Sequence, residues 1–241
     1  MGPKIRGLAQ TALGESLMLL TAAEGYQIWS DHYDSDPNPL LALESRILAP
    51  RLGSLNGRTV LDVATGTGRW MSYVASRGAR PIGLDISARM LCVAARKPDI
   101  CGCLVLGDAR SLPFRSGSVD LAICSFALSY LPSSTAAFSE MARVARRIII
   151  SDLHPEAMMA GWTRSFRSDG QSWQIEHFNH GLADLDRVAK AAGMRLQWTA
   201  EAAFDLPELP LFEIAGKRNM FNEVSRTPAV FATSWVNDSC D

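Results

Sequence analysis

The chain shows no membrane span. The apolar stretch near its start, Leu17-Met18-Leu19-Leu20, falls far short of the ~20 residues a bilayer requires. No small-residue cleavage site follows a basic start in the usual order, so the sequon Asn237-Asp238-Ser239 carries no expectation of glycosylation. Charge of one sign is also missing. A net charge of −1 leaves no basic surface for tracking phosphates, which argues against DNA or RNA as a partner. Cys92, Cys101, Cys103, Cys124 and Cys240 form no C-x-x-C pair and no secreted pattern, so a reducing, cytoplasmic setting is expected. Cys124 sits inside an apolar strand and reads as a small core residue. Histidine is scarce. H-x-x-H at His177 and His180, with His32 and His154 elsewhere, is a poor metal set, and no metal is expected. Internal repeats and low-complexity tracts are absent.

What is present is a globular composition. Across 241 residues, 47% are hydrophobic and 20% charged, which suits one α/β domain with an added cap. The chain is organised around Val60-Leu61-Asp62-Val63-Ala64-Thr65-Gly66-Thr67-Gly68-Arg69-Trp70. An apolar run with two β-branched valines suits a strand buried on both faces. A glycine turn follows, then a helical run from Trp70. Such a turn frees the backbone to approach a ligand and aims the N–H groups of the next helix at it. A dinucleotide fingerprint needs a third glycine three residues after the second, and Met71 stands there, so a nicotinamide oxidoreductase is disfavoured.

The rest alternates. Strands are expected at Thr59–Val63, Arg80–Asp85, Cys103–Leu106, Val119–Ser125, Arg147–Asp152, Arg195–Thr199 and Ala229–Val236. Helices are expected after the glycine turn and over Ala88–Lys97, Ala136–Arg146 and Gly181–Ala192, the last ended by Gly193. This implies a doubly wound, mostly parallel seven-stranded sheet with helices on both faces, of Rossmann-like α/β class. Residues 1–52 are expected to form an N-terminal helical lid, with a short helix or arm over 1–20, a capping box at Thr21-Ala22-Ala23-Glu24, and a second helix over Leu40–Leu52 whose apolar side is Leu40, Leu43, Ile47 and Leu48. Residues 53–241 form the main domain, with a long insert at 153–180. Asp120 precedes a buried run and reads as structural. The apolar tail Phe204–Phe221 is either core or a subunit contact in a homodimer.

The pattern Asp62-Val63-Ala64-Thr65-Gly66-Thr67-Gly68 resembles the first motif of class I S-adenosylmethionine (SAM)-dependent methyltransferases, with Ala64 where the first glycine is usual. Gly83-Leu84-Asp85, Gly107-Asp108-Ala109-Arg110-Ser111-Leu112-Pro113-Phe114 and Ser118-Val119-Asp120-Leu121-Ala122 extend the resemblance to the ubiquinone/menaquinone-methyltransferase-like branch, type 11. It implies SAM as cofactor and S-adenosylhomocysteine (SAH) as product. It implies that Gly66 and Gly68 contact the methionine portion, Asp85 the ribose, Asp108 and Ala109 the adenine, and that Ser125 and Phe126 flank the cofactor. The position of Asp85, 17 residues after Gly68, and its place at a strand end suit a ribose-binding acid. Asp62, Ala64, Thr67, Ile86, Met90 and Tyr33 complete the expected cofactor set. Relatives often carry histidine soon after the phenylalanine. Here Ala127-Leu128-Ser129-Tyr130 follows, so no role for that histidine carries over.

Transfer to oxygen, the preferred acceptor atom, is helped by a base near neutral pKa. His154, directly after the fifth strand, is the first candidate and His180 the second. Tyr26, Trp29, Trp162, Arg164 and His177 are the expected contacts to a small-molecule acceptor; Arg164 or Arg167 would hold an acidic one. Tyr26, Trp29 and Tyr33 share a helical face, either as a packed aromatic stripe or as a lid over the cationic sulfonium. Two alternatives stay open: an enzyme of this fold with non-methylating chemistry, such as a cyclase or decarboxylase, and a non-catalytic SAM-binding partner.

Overall fold

The computed structural model describes residues 18–30, 33–34, 38–168 and 171–237. Residues 1–17 of the arm expected over 1–20, together with His32, Ser35, Asp36, Pro37, Ser239, Cys240 and the Arg167 side chain, lie outside the described residues.

In chain order the elements are β1 (Met18–Leu20), α1 (Ala22–Trp29), α2 (Pro39–Leu48), β2 (Thr59–Val63), α3 (Arg69–Ala75), β3 (Arg80–Asp85), α4 (Ala88–Ala94), β4 (Leu104–Leu106), β5 (Val119–Ser125), α5 (Thr135–Val144), β6 (Ala145–Leu153), α6 (Pro155–Met159), β7 (Arg164–Ser168), β8 (Gln171–Ile175), α7 (Leu182–Ala191), β9 (Met194–Ala202), α8 (Leu209–Ile214), α9 (Phe221–Val224) and β10 (Val230–Asn237). The main sheet has seven strands in the order β4-β3-β2-β5-β6-β10-β9. Its first five strands run parallel, and β10 lies antiparallel to both β6 and β9. The chain reverses direction across the sheet between β2 and β5, so a crevice opens at their carboxyl ends.

Alternation along the strands explains why the sheet is coated on both sides. Leu61, Val63, Ile148 and Ile150 face a core built with Phe138 and Met141 of α5, Leu185 and Val188 of α7, and Trp235. Val60, Leu121, Ile123 and Ile149 face the opposite core, with Leu48 of α2 and Trp70 and Val74 of α3. The run of three isoleucines thus feeds both layers. Phe204, Phe212 and Phe221 pack ring to ring at 5.0 and 5.4 Å inside a third buried cluster, which puts these rings of the apolar tail in the core, while Leu206 and Ile214 stay exposed.

The two segments flanking the cleft hold more than helices and loop. The part expected as an N-terminal helical lid also contains the strand β1, and the insert at 153–180 has elements of its own. The insert folds into α6 and the β7–β8 hairpin, and β1 pairs in parallel with β8 to give a separate three-stranded sheet. Two segments more than 140 positions apart therefore make one cap. Helix α1, started by the Thr21/Glu24 capping box, packs on this sheet, where Trp29 stacks on Phe166 at 5.0 Å. A Cβ on Gly25 would come within 2.8 Å of Ile175, so glycine is what permits the close approach.

Candidate active site

A cleft of about 410 Å³ lies at the carboxyl ends of β2, β3 and β5, floored by the glycine turn and roofed by α1 and the segment after β8. Its geometry begins with the backbone. Gly66 has φ +57°, and a Cβ there would meet no atom within 4 Å, so the turn is open toward the cleft. Ala64 and Phe126 also sit at positive φ, 57° and 50°. For side-chain-bearing residues, and for a phenylalanine above all, this is local strain held by its surroundings. The Phe126 N–H is fixed by donation to the Ser151 carbonyl at 2.7 Å. The φ of Ala64 also shows why glycine is usual there.

Three acids stand around the opening. Asp85, at the end of β3, accepts from the Gly66 N–H at 2.7 Å and the Ser87 N–H at 2.8 Å, and burial raises its pKa against those bonds. It thus ties the glycine turn to the start of α4 while still facing the cleft. Asp62 is deeper. Burial pushes it up to about 7, opposed by the Thr65 hydroxyl, which donates to it at 2.6 Å. Asp108 is more exposed and is gripped by Arg110, whose guanidinium donates to both carboxylate oxygens; those bonds hold its pKa below the usual range.

The opposite wall is aromatic. Tyr26, Tyr33, Tyr130 and Phe126 line it. The Tyr26 and Tyr130 hydroxyls share a hydrogen bond at 2.6 Å, which joins the cap to the loop after β5. Burial raises the pKa of all three tyrosines, that of Tyr130 to about 12, so each stays protonated at neutral pH. Tyr33 lies beyond the end of α1 yet packs on Trp29 at 5.1 Å. Its neighbour Asp34 accepts from Thr67 at 2.6 Å and from Lys97 at 2.9 Å, and Lys97 also donates to the Thr67 carbonyl at 2.7 Å. This clasp pins the cap to the glycine turn.

Behind the turn lies a polar hub that the sequence reading passed over. Glu44 is wholly buried; it accepts from Arg69, from Trp70 Nε1 at 3.1 Å, from the Ser125 hydroxyl at 2.7 Å and from Ser151. It joins α2 to α3, β5 and β6 directly under the cleft. The signal was available: Glu44 occupies the same helical stripe as Leu40, Leu43, Ile47 and Leu48, where a charge demands partners.

A methyltransferase-domain family profile matches residues 60–147. The demethylmenaquinone methyltransferase of Renibacterium salmoninarum is 36% identical over 115 residues, which span 46% of this chain and 48% of that protein. Residues 60–147 thus carry a methyltransferase domain, and the chain is similar to class I SAM-dependent methyltransferases of the menaquinone-methyltransferase-like branch. The fold agrees: a SAM-dependent methyltransferase from Mesorhizobium loti superposes with a TM-score of 0.64 at 20% identity, covering 83% of this chain and all of the other. The [4+2]-cyclase SpnF superposes with a TM-score of 0.63 at 15% identity, covering 94% and 99% of the two chains. The match covers from 33% to 48% of the length of the first curated relatives. The cofactor of the family is SAM, and an open glycine turn beside buried strand-end acids fits it.

The cleft gathers Tyr26, Tyr33, Asp62, Ala64, Gly66, Thr67, Asp85, Ile86, Met90, Asp108, Ala109, Ser125 and Phe126. Gly68 is not on its surface. At φ +81° it caps α3, and an added Cβ would collide with Ile100 at 2.3 Å, so its task is packing beneath the turn. Among the described residues, no histidine lines the cleft either. His154 Nδ1 accepts from the Glu156 N–H at 3.2 Å as the cap of α6, and Nε2 meets Glu201 at 3.1 Å. His180 Nε2 donates to the carbonyls of Leu128 and Leu131, and His177 Nδ1 to that of Ile175. Trp162 stacks on Phe204 at 6.1 Å in the core. Trp29 and Arg164 stand one layer behind the aromatic wall, Arg164 over the Phe126 ring at 4.3 Å. Among the described residues no cluster suits a metal ion, and no helix is long and apolar enough to cross a membrane.

Proposed function

We propose that the protein transfers a methyl group from SAM to a small-molecule acceptor, preferably to an oxygen. The observation that carries this reading is the single cleft surface shared by an open glycine turn, the strand-end acids and a wall of tyrosines. Bound SAM would supply the electrophilic methyl group. Asp85 would take the ribose hydroxyls, its carboxylate already oriented by two backbone donors. Asp62, the deepest acid, suits the cationic amino group of the methionine portion. Asp108 would turn from Arg110 to accept from the adenine amine. Aromatic faces beside the sulfonium favour its positive charge by ~0.5–2 kcal/mol.

The residues then chiefly align the two reactants. Holding them in line supplies several of the roughly 7–11 kcal/mol that orientation makes available. No histidine serves as base in this account, since all three described ones are bound to the framework. The acceptor therefore loses its proton to solvent or to the exposed Glu176 carboxylate, which lines the cleft opening. Calorimetry with SAM and SAH tests the cofactor half: micromolar or tighter binding is expected, and absence of binding would refute it. SAH formation in a screen of quinone-like, phenolic and polyketide-like acceptors tests transfer. Turnover of an acceptor without SAH would instead favour non-methylating chemistry, a reading kept because the cyclase shares this fold over nearly the whole chain.

A further inference from the structure

Four of the five buried side-chain polar atoms that lack a hydrogen-bond partner among the described residues lie in the cap: Trp29 Nε1, Arg164 Nη2, Ser165 Oγ and Trp173 Nε1. Buried polar groups are normally satisfied, so such a concentration in one part of the fold is unusual. Three of the four are N–H groups that can only donate. They also share one side of the hairpin. Arg164 and Phe166 are two apart on β7, Trp173 pairs with Phe166 across the ladder, and Trp29 stacks on Phe166. These donors therefore leave positive charge behind the aromatic wall that no acceptor among the described residues offsets by a hydrogen bond at those atoms.

Arg164 concentrates the argument. It is 5% exposed, and its guanidinium lies over Phe126 at 4.3 Å. Phe126, Tyr26, Tyr33 and Tyr130 separate it from the cleft and line that cleft on their other side. Asp152, a carboxylate whose charge acts on Arg164, accepts from the Ser129 N–H and hydroxyl and from the Leu153 N–H. In the Tyr26–Tyr130 pair one hydroxyl proton is used between the two oxygens, and the other remains to be donated. A cation desolvated behind a wall of neutral hydroxyl donors attracts negative charge across that wall far more strongly than it would in water.

We propose that the methyl acceptor is an organic acid, an aromatic or similarly flat body ending in an ionised oxygen. The Tyr26–Tyr130 hydroxyl pair receives that oxygen, and Arg164 acts behind the pair as the positioning residue that selects for its charge. The inference rests on the methyltransferase reading for what happens to the oxygen, but the preference for an anion is separately measurable.

The experiment compares benzoate, cinnamate and 1-naphthoate with their carboxamides, by calorimetry on the full chain, with and without saturating SAH. The acids are expected to bind at least tenfold more tightly than the amides. That ratio should collapse toward one in Arg164→Gln and persist in Arg164→Lys, while the SAH affinity of all three proteins stays equal. Tyr130→Phe, which keeps the ring, should lower the ratio without unfolding the cap. Equal binding of acids and amides by the wild-type protein, binding of neither, or an acid preference that survives Arg164→Gln would overturn the proposal. Loss of SAH binding alone would count against the methyltransferase reading and leave the acid preference readable in the SAH-free series.

Discussion

The cleft has two walls of different construction. The cofactor wall is made by turns that directly follow β2, β3 and β5, and much of what it offers is backbone: the open Gly66, the strained Ala64, and an acid held by main-chain N–H groups. The acceptor wall is assembled from α1, the loop after β5 and a hairpin that meets the N-terminal strand across the sequence, and it offers rings, hydroxyls and a buried cation. A wall built on strand ends is placed by the sheet itself. A wall built from three distant segments exists only when the cap has closed, which makes it the less rigid half and the easier one to change.

The contrast is broken most severely at Asp85. Replacement by alanine removes the ribose acceptor and should weaken SAM binding by ~10²–10⁴-fold, from two charge-assisted bonds of ~1.5–3 kcal/mol each, while circular dichroism reports a folded chain. Unchanged affinity would mean that this wall does not hold the ribose. Gly68→Val should act on stability instead. Positive φ and the Ile100 collision together cost ~2–5 kcal/mol, read as a lower denaturation midpoint; loss of affinity at unchanged stability would put the residue back in the cleft.

Asp62 sharpens the comparison through pH. With its pKa at about 7, the native state binds more protons than the unfolded state between roughly pH 4 and 7. The contribution of this group to stability is therefore fully present below that window and lost as pH rises through it. Pairing with the cofactor amino group requires the ionised form, so SAM affinity should rise about tenfold from pH 6 to 7.5 and then level off. A flat profile that matches Asp62→Asn would separate this acid from the cofactor. The smallest effect is expected at His154. Its alanine variant loses the cap of α6, ~1 kcal/mol by denaturation, and keeps its turnover number; a 100-fold fall in rate would restore it as a base.

What could be read in advance followed the same division. Strand-end residues are legible because spacing within one strand-turn-helix unit fixes where they emerge, so Asp85, Asp108 and Ser125 were placed from position alone. Gly68 shows the limit, because a glycine needed for packing beneath a turn looks the same in sequence as one needed for access above it. His154 shows another, because emergence at a strand end says nothing about which way a side chain turns, and here the start of α6 claims the ring. The pairing of β1 with β8 had no local signal, since no short-range pattern records a contact between segments so far apart. Glu44 was readable from its place on an apolar stripe, and its partners were not.

The central claim is that SAM lies where the turns after β2, β3 and β5 meet. Backbone amide chemical shifts recorded while SAH is titrated test it most directly. The account predicts the largest movements at Gly66, at Asp85 and Ile86, and at Asp108 and Ala109, with Tyr33 following as the cap settles. Saturable shifts confined to other strands, or none at millimolar SAH, would contradict it.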